Sequence, residues 1–493
     1  MEEKCFHIVT HNIVFWGKVI SCRTENHFAN VKRSYFQLAP GIFAGIALLF
    51  ISTSFLCAQT RTLRIAAYNI EDDINGAVYP LPGLIAPPGN TNNFAAGGAL
   101  EGIGEENVAG DAAQPLDILA LEETTGNSIT VAPIVNALNI FYNKPGMYAN
   151  SPYQATESGG DVADGNGPNA VVYNTLTVQL VASTPVDPSG GTSRLGSASG
   201  EYREAMRYEF APAGVAPTAA NEFYIYVSHY KSGGTLSDAA SRAGEAAIIR
   251  TNEAIDLPAS ARVIYVGDYN MTDSVETAYQ TILAPNSPNG KPQGQGIDPL
   301  NVTNNPNINW STNTTAANIL VMLTEDNYSL KYRDDLQTMT TNIYFGAPGG
   351  LQFVPGTYHA FANNGSVAYK GSVVSSTALN TDLSTDGPVF LTASTIYSDL
   401  TTASDHLPIL ADYTVPLPTP MIANVNPAGA DLTFNIANAV TNAVYRVLMA
   451  TNLPPSNWTP VATNTATGTN FTFTLINGFN STGPQQFYLL ATP

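Results

Sequence analysis

An α/β layered domain followed by a small all-β module is the fold class the sequence predicts. Three observations predict it. Between about Thr62 and Thr414, short apolar runs alternate with helical or irregular stretches. From Val415 onward the runs are short, and Asn, Thr and Pro turns separate them. Charged residues are only 12% of the chain while hydrophobic ones are 44%, so a large core can be buried.

The chain begins with a leader, residues 1–58. Gly41 to Cys57 form a mostly apolar run without charge, Lys32 and Arg33 precede it, and Ala58 offers a small residue for cleavage before Gln59. A basic segment, an apolar segment and a small residue are the parts of a secretory signal. The run is short for a membrane span, which needs about 20 residues. An exported protein, secreted or held at the cell envelope, is therefore expected. All three cysteines, Cys5, Cys22 and Cys57, lie in the leader, so the exported chain is expected to carry no disulfide. It keeps 15 Lys+Arg against 36 Asp+Glu, and three histidines, His229, His359 and His406.

The elements follow in chain order. The clearest strands are Leu63–Asn69, Ala170–Tyr173, Phe223–His229, Arg262–Gly267 and Pro388–Thr392, which are β-branched or aromatic and mostly end in polar residues. A helix is expected over Leu236–Ile255, with Ser237 and Asp238 at its start and Ala240, Ala243, Ala247 and Ile248 at helical spacing. Residues 284–318 are rich in Asn, Pro, Gly and Thr and read as a surface insertion. The last region opens on the linker VPLPTP and holds two charged residues, Asp431 and Arg446. Its strands are expected at Asp431–Ile436, Ala443–Ala450, Asn470–Leu475 and Gln486–Ala491, and it is read as a sandwich spanning 420–493.

Polar residues stand at the carboxyl ends of several of these strands, where layered α/β folds assemble their sites. Asn69 and Glu71 follow LRIAAY, Glu122 and Glu123 follow DILAL, His229 ends FYIYVS, Asp268 and Asn270 follow VIYV, and Asp405 and His406 lie in SDHLP. Carboxylates with an Asn carbonyl suit a hard cation. No HExxH motif or Cys/His cluster favours zinc. Carboxylates, His and a hard cation together suit phosphoryl hydrolysis, because cation and imidazole offset the developing negative charge while a carboxylate orients a water. The acidic balance disfavours holding a polyanion through a basic patch.

With these motifs in hand, the chain resembles the endonuclease/exonuclease/phosphatase superfamily (DNase I-like) over most of residues 62–414. AAYNIE, DILALEET, YREAMRYEF, VSHYKSG, VGDYN, YRDDL and SDHLP fall in that family's order. The resemblance implies a four-layer sandwich, two packed β-sheets with helices outside. It implies a metal-dependent phosphodiester hydrolase, with a nuclease as the first reading. Mg²⁺ is the implied cofactor, with Ca²⁺ or Mn²⁺ as alternatives, and Glu123 binds it with Asn69, Glu71 and Asp405 nearby. His406 acts on the phosphate beside Asp335, Glu204 pairs with His229, Asp268 orients or activates the water, and Asn270 stabilises the transition state. Arg203 is the candidate phosphate contact.

The family usually has Gln where this chain has Glu122, which is expected to be a solvated side chain. Alone, SDH or GDYN reads as a turn or a cap, and His359 matches no motif and reads as an ordinary surface or core histidine. Two other functions stay open: a phospholipid or sugar-phosphate phosphoesterase with the same chemistry, and a non-catalytic extracellular binding protein. The implied partner is nucleic acid or another phosphodiester. For the C-terminal module, carbohydrate binding, cell-surface binding and a spacer role are the alternatives.

Overall fold

The computed structural model describes residues 59–71, 85, 98–104, 106, 114–151, 168–186, 202–271, 273–301, 322–324, 333–346, 349–361, 363, 396, 399–400, 403–428, 430–451, 457–478 and 486–491. The leader and the expected strand Pro388–Thr392 lie outside them. Among the described residues no helix is long and apolar enough to cross a membrane. The chain divides into two compact units at Pro418/Thr419.

The first unit holds two mixed sheets. The strands of the first are β1 (Gln59–Asn69), β2 (Ile118–Glu122), β3 (Tyr148–Asn150), β4 (Ala170–Asn174), β11 (Gln352–Phe353), β12 (His359–Ala360) and β13 (Ile409–Leu417). Their order is β11-β13-β1-β2-β4-β3, with β12 paired to β13. The second sheet holds β5 (Val178–Pro185), β6 (Met206–Pro212), β7 (Phe223–His229), β8 (Val263–Asp268), β9 (Gly296–Ile297) and β10 (Asp335–Thr340), in the order β5-β6-β7-β8-β10-β9.

Strand alternation builds the layers. Leu63, Ile65 and Ala67 of β1 and Ile118 and Ala120 of β2 share one core with Ile225 and Val227 of β7 and Ile264 and Val266 of β8, between the sheets. The opposite faces, carrying Tyr68, Leu121, Tyr226 and Tyr265, pack with helices. Helices α1 (Ala99–Gly104) and α2 (Ala132–Phe141) supply Ile103, Ile134 and Leu138. Helices α3 (Leu236–Asp256) and α4 (Thr277–Leu283) supply Ala246, Ile249, Tyr279 and Ile282. The result is the implied sandwich of two packed sheets flanked by helices. A one-turn helix, α5 (Thr341–Tyr344), follows β10.

Helix α3 is capped two residues before Ser237. Thr235 is the N-cap, its hydroxyl accepts from the Asp238 amide, and the Asp238 carboxylate accepts from the Thr235 amide. Of the expected surface insertion, residues 285–292 are mostly exposed, residues 293–301 depart from it, and 302–318 lie outside the described residues. Gly296–Ile297 pairs with β10, and Asp298 is buried against Arg333 (Nη2 to Oδ1 2.8 Å), Tyr279 and the backbone.

The second unit carries two three-stranded antiparallel sheets. One is β14 (Met421–Ala428), β15 (Asp431–Ala437) and β18 (Asn470–Leu475); the other is β17 (Thr459–Thr465), β16 (Val444–Ala450) and β19 (Phe487–Ala491). Phe434, Ile436, Tyr445, Val447, Phe471 and Tyr488 form their shared core, as a small sandwich requires.

Candidate active site

Strand register alone gathers most of the polar residues. In the first sheet β1 and β2 are parallel, with Asn69 opposite Glu122. In the second, β7 and β8 are parallel with His229 opposite Asp268, and β10 runs antiparallel with Asp335 opposite Asp268. Four strands thus end, and one begins, at the same edge of the sandwich. Register also places Glu204: Met206 stands opposite Val227, so two residues further on Glu204 is level with His229.

The side chains then meet across the two sheets. The Asn69 Nδ2 donates to Glu123 Oε1 and to Asp268 Oδ2, both at 3.0 Å, while its Oδ1 accepts from the Glu71 amide. His229 Nε2 lies 3.5 Å from Glu123 Oε1 and 3.4 Å from Asp268 Oδ2. His406 Nδ1 is 2.8 Å from Asp335 Oδ2, and its Nε2 is 3.9 Å from Asp268 Oδ2 and 3.6 Å from Asp405 Oδ1. Asn270 donates from Nδ2 to Asp268 Oδ2 at 3.0 Å. Glu71 Oε2 accepts from the Asp405 amide. Ser404 braces the last loop, donating to the Asn69 carbonyl and accepting from the His406 amide.

Backbone strain accompanies this convergence. Glu123, Asn270 and Glu71 take φ of 55°, 49° and 47°, the left-handed region. Asn tolerates that region through its short polar side chain, but Glu does not, and such residues persist only where the surroundings over-determine them. Gly267 has φ 133°, and a Cβ there would stand 1.9 Å from the Ser228 carbonyl oxygen. The close approach of β7 and β8 next to His229 and Asp268 therefore requires glycine.

Burial sets the charge states. Burial alone would lower the His406 pKa, but the Asp335 carboxylate on Nδ1 outweighs it and raises that pKa well above the ordinary imidazole value. Burial lifts the Glu71 carboxyl, and the neighbouring Asp405 adds to the shift. Glu122 corrects the sequence expectation of a solvated side chain. It is wholly buried, and neither carboxylate oxygen has a hydrogen-bond partner among the described residues. The alternation that turns Ile118 and Ala120 between the sheets turns Glu122 there too. Burial pushes its pKa well up, and the charges of Asp335 and Asp268 push it further.

Glu123, His229 and Asp268 offer three ligand atoms within 4.8 Å of one another. A divalent cation fits this set, since carboxylate oxygens and an imidazole nitrogen are its common donors. Unbonded acceptors point the same way: neither oxygen of Glu122 nor Oδ1 of Asp335 has a hydrogen-bond partner among the described residues, and a buried acceptor without a partner is costly. Of the expected ligands, Glu123 belongs to this trio. Asn69 holds its two carboxylates together through Nδ2, and Glu71 and Asp405 form a second acidic pair beside His406.

Arg203 and Glu204 lie just before β6 and are 4% and 2% exposed. Arg203 donates from Nη1 to the Tyr230 carbonyl at 2.6 Å and from Nη2 to Ser232 Oγ at 3.2 Å. Its nitrogens are turned to the loop after His229. His359 sits apart from the site. It pairs with Glu106 at 2.9 Å and bonds the Thr357 carbonyl through Nδ1, in a buried network where Arg64 also meets Asp412.

Sequence reasoning missed three supporting groups. Asn169, wholly buried, donates to the carbonyls of Glu204 and Val227 and links β4 to the β6–β7 pair. Thr324 Oγ1 accepts from the Asp335 amide. Glu245 of α3 accepts from the amides of Arg203 and Lys231. A polar residue directly before a strand, as in PNAVVYN, was the one available signal, and it marks only Asn169.

No family model matches the chain, and no curated protein does. Solved structures of similar fold include the human Nocturnin catalytic domain with bound sulfate, at 15% identity and a TM-score of 0.38, covering 72% of this chain and 97% of that one. A mannosyl-6-phosphatase of Bacteroides thetaiotaomicron is similar at 13% identity and TM-score 0.37, covering 71% and 99%. An endonuclease/exonuclease/phosphatase family protein of the same organism follows at 13% and 0.36, covering 73% and 100%. Identities and TM-scores this low leave the function to be read from the geometry above.

Proposed function

We propose that the chain is a phosphoesterase of the endonuclease/exonuclease/phosphatase superfamily, and that its first unit hydrolyses phosphodiesters with a divalent cation, Mg²⁺ foremost. An exported nuclease is the leading assignment. One observation carries the reading: two histidines, four buried carboxylates and two Asn amides converge from both sheets on one edge, with His406 bonded to Asp335 at 2.8 Å.

A cation bound by Glu123 with His229 and Asp268 supplies positive charge to the phosphate oxygens. His406, kept protonated by Asp335, donates to the phosphate and offsets charge as it builds. Asp268, held by Asn69 and Asn270, presents a carboxylate that orients the attacking water. Asn270 adds an amide to transition-state stabilisation.

The acidic chain favours a compact phosphoester as the competing substrate, since long duplexes bind mostly through Lys and Arg. Supercoiled plasmid, RNA, sphingomyelin and bis-p-nitrophenyl phosphate tested side by side separate the two. Glu123→Ala and His406→Ala both lose hydrolysis while staying folded; full activity in either contradicts the proposal.

A further inference from the structure

We propose that Arg203 is a positioning residue: through the Tyr230 carbonyl it fixes the side-chain amide of Asn270 against Asp268, and it does not itself bind the substrate phosphate. This deepens the phosphoesterase reading and rests on it for its kinetic test.

A guanidinium that clamps phosphate presents two parallel N–H groups to it. Here both terminal nitrogens are turned to the loop after His229, Nη1 donating to the Tyr230 carbonyl at 2.6 Å and Nη2 to Ser232 Oγ at 3.2 Å. The side chain is also 4% exposed. The Tyr230 carbonyl that takes Nη1 also takes Asn270 Nδ2 at 3.1 Å. The same Nδ2 reaches Asp268 Oδ2 at 3.0 Å. The Asn270 amide therefore stands between a carbonyl that Arg203 holds and the carboxylate assigned to the water.

Both ends of this relay are anchored. Glu245, 1% exposed, takes the Arg203 amide at 2.8 Å and the Lys231 amide at 2.9 Å, so one carboxylate ties the arginine to the loop it braces. The Tyr230 amide donates to the Asp268 carbonyl at 2.8 Å. A shift of that loop thus moves the Asn270 amide while leaving Asp268 on its strand. Lysine keeps the charge at this position but offers a single nitrogen in place of the planar fork, so it cannot reproduce the two-nitrogen geometry that meets Tyr230 and Ser232.

The test uses the full chain, bis-p-nitrophenyl phosphate as substrate and inorganic phosphate as inhibitor. In Arg203→Lys and Arg203→Met alike, kcat falls, by about 100-fold for a misplacement of roughly 1 Å. KM and the phosphate inhibition constant stay unchanged. Arg203→Lys adds no further loss in an Asn270→Ala background, because both changes act on one amide. Ser232→Ala, which removes one of the guanidinium's anchors, is the second variant if Arg203 changes do not fold; it lowers kcat in the same direction at constant KM. A crystal structure of Arg203→Lys shows Asn270 Nδ2 out of reach of the Tyr230 carbonyl. Additive losses, a weakened phosphate inhibition that Lys restores, wild-type kcat in Ser232→Ala, or an unmoved Asn270 would each overturn the proposal. If the wild-type protein hydrolyses no phosphoester, the functional reading fails, and the position of Asn270 in that crystal structure still decides the role of Arg203.

Discussion

Replacing Gly267 by Ala adds one methyl group and brings two strands into conflict. The added Cβ would lie 1.9 Å from the Ser228 oxygen, 2.9 Å from its carbonyl carbon and 3.0 Å from its nitrogen. Real Cβ atoms essentially never come within 3.0 Å, so β7 and β8 must separate by about 1 Å at this point. The φ of 133° adds a strain of about 1–3 kcal/mol. A ladder hydrogen bond loosened by the separation adds about 1 kcal/mol. The sum, roughly 2–4 kcal/mol, lowers the melting midpoint by about 3–5 °C for a unit of this size. Ser228 and Gly267 are register partners immediately before His229 and Asp268, so a shift of that size misplaces both side chains. Turnover falls by about 100-fold. Calorimetry and hydrolysis of a chromogenic diester measure the two effects on one sample. Gly234→Ala is the control, since nothing lies within 4 Å of its added Cβ; it changes stability by under about 0.5 kcal/mol. Gly267→Ala with a wild-type midpoint and wild-type kcat would refute the reasoning.

Three other outcomes follow from particular contacts. Asp335→Asn removes the charge that outweighs the burial of His406, so the activity that needs protonated His406 disappears at a lower pH than in the wild type; an unmoved pH–kcat profile contradicts this pairing. Burial lowers the His359 pKa but Glu106 more than restores it, so the folded pKa is raised. The pair's stability is fully present below the unfolded value of about 6.5 and is lost as pH rises through the folded one. Urea midpoints of the wild type and His359→Gln therefore differ at pH 5.5 and converge at high pH, and a gap that widens with pH reverses the sign argued. Finally, Mn²⁺ at about 1,000 times its dissociation constant stabilises the wild type by about 4 kcal/mol; Glu123→Ala abolishes that thermal shift if the Glu123, His229 and Asp268 donors hold the ion, and an equal shift in the variant places the ion elsewhere.

Much of the site was legible because it sits where strands stop. Phe223–His229 begins and ends as its aromatic and β-branched composition suggests, and its last residue is the histidine of interest. Asp268 closes β8 in the same way. Strands β14 and β17 were not legible. MIANVNPA and TPVATNT have turn-like composition, and pairing with β15 and β16 overrides it. The C-terminal pair Asp405–His406 was found from SDHLP, but not that Ser404 bonds the Asn69 carbonyl, a contact spanning 335 positions.

Judging side chains singly limits what the sequence tells about Glu122 and Arg203. Glu122 looked solvated because it is charged, although the period of two that buries Ile118 and Ala120 reaches it as well. For Arg203, a phosphate contact was read from its being an arginine beside a site, without its protein partners. Its partners, the Tyr230 carbonyl and Ser232, lie about thirty positions away on another strand's loop, which no local pattern reveals.

The most direct measurement of the central claim is hydrolysis of bis-p-nitrophenyl phosphate by the 59–493 fragment with Mg²⁺, Mn²⁺ or EDTA, run beside Glu123→Ala and His406→Ala. The expected result is metal-dependent release of nitrophenol that EDTA stops and that both variants lose while keeping the wild-type fold. Turnover that survives EDTA, or that persists in either variant, would contradict it.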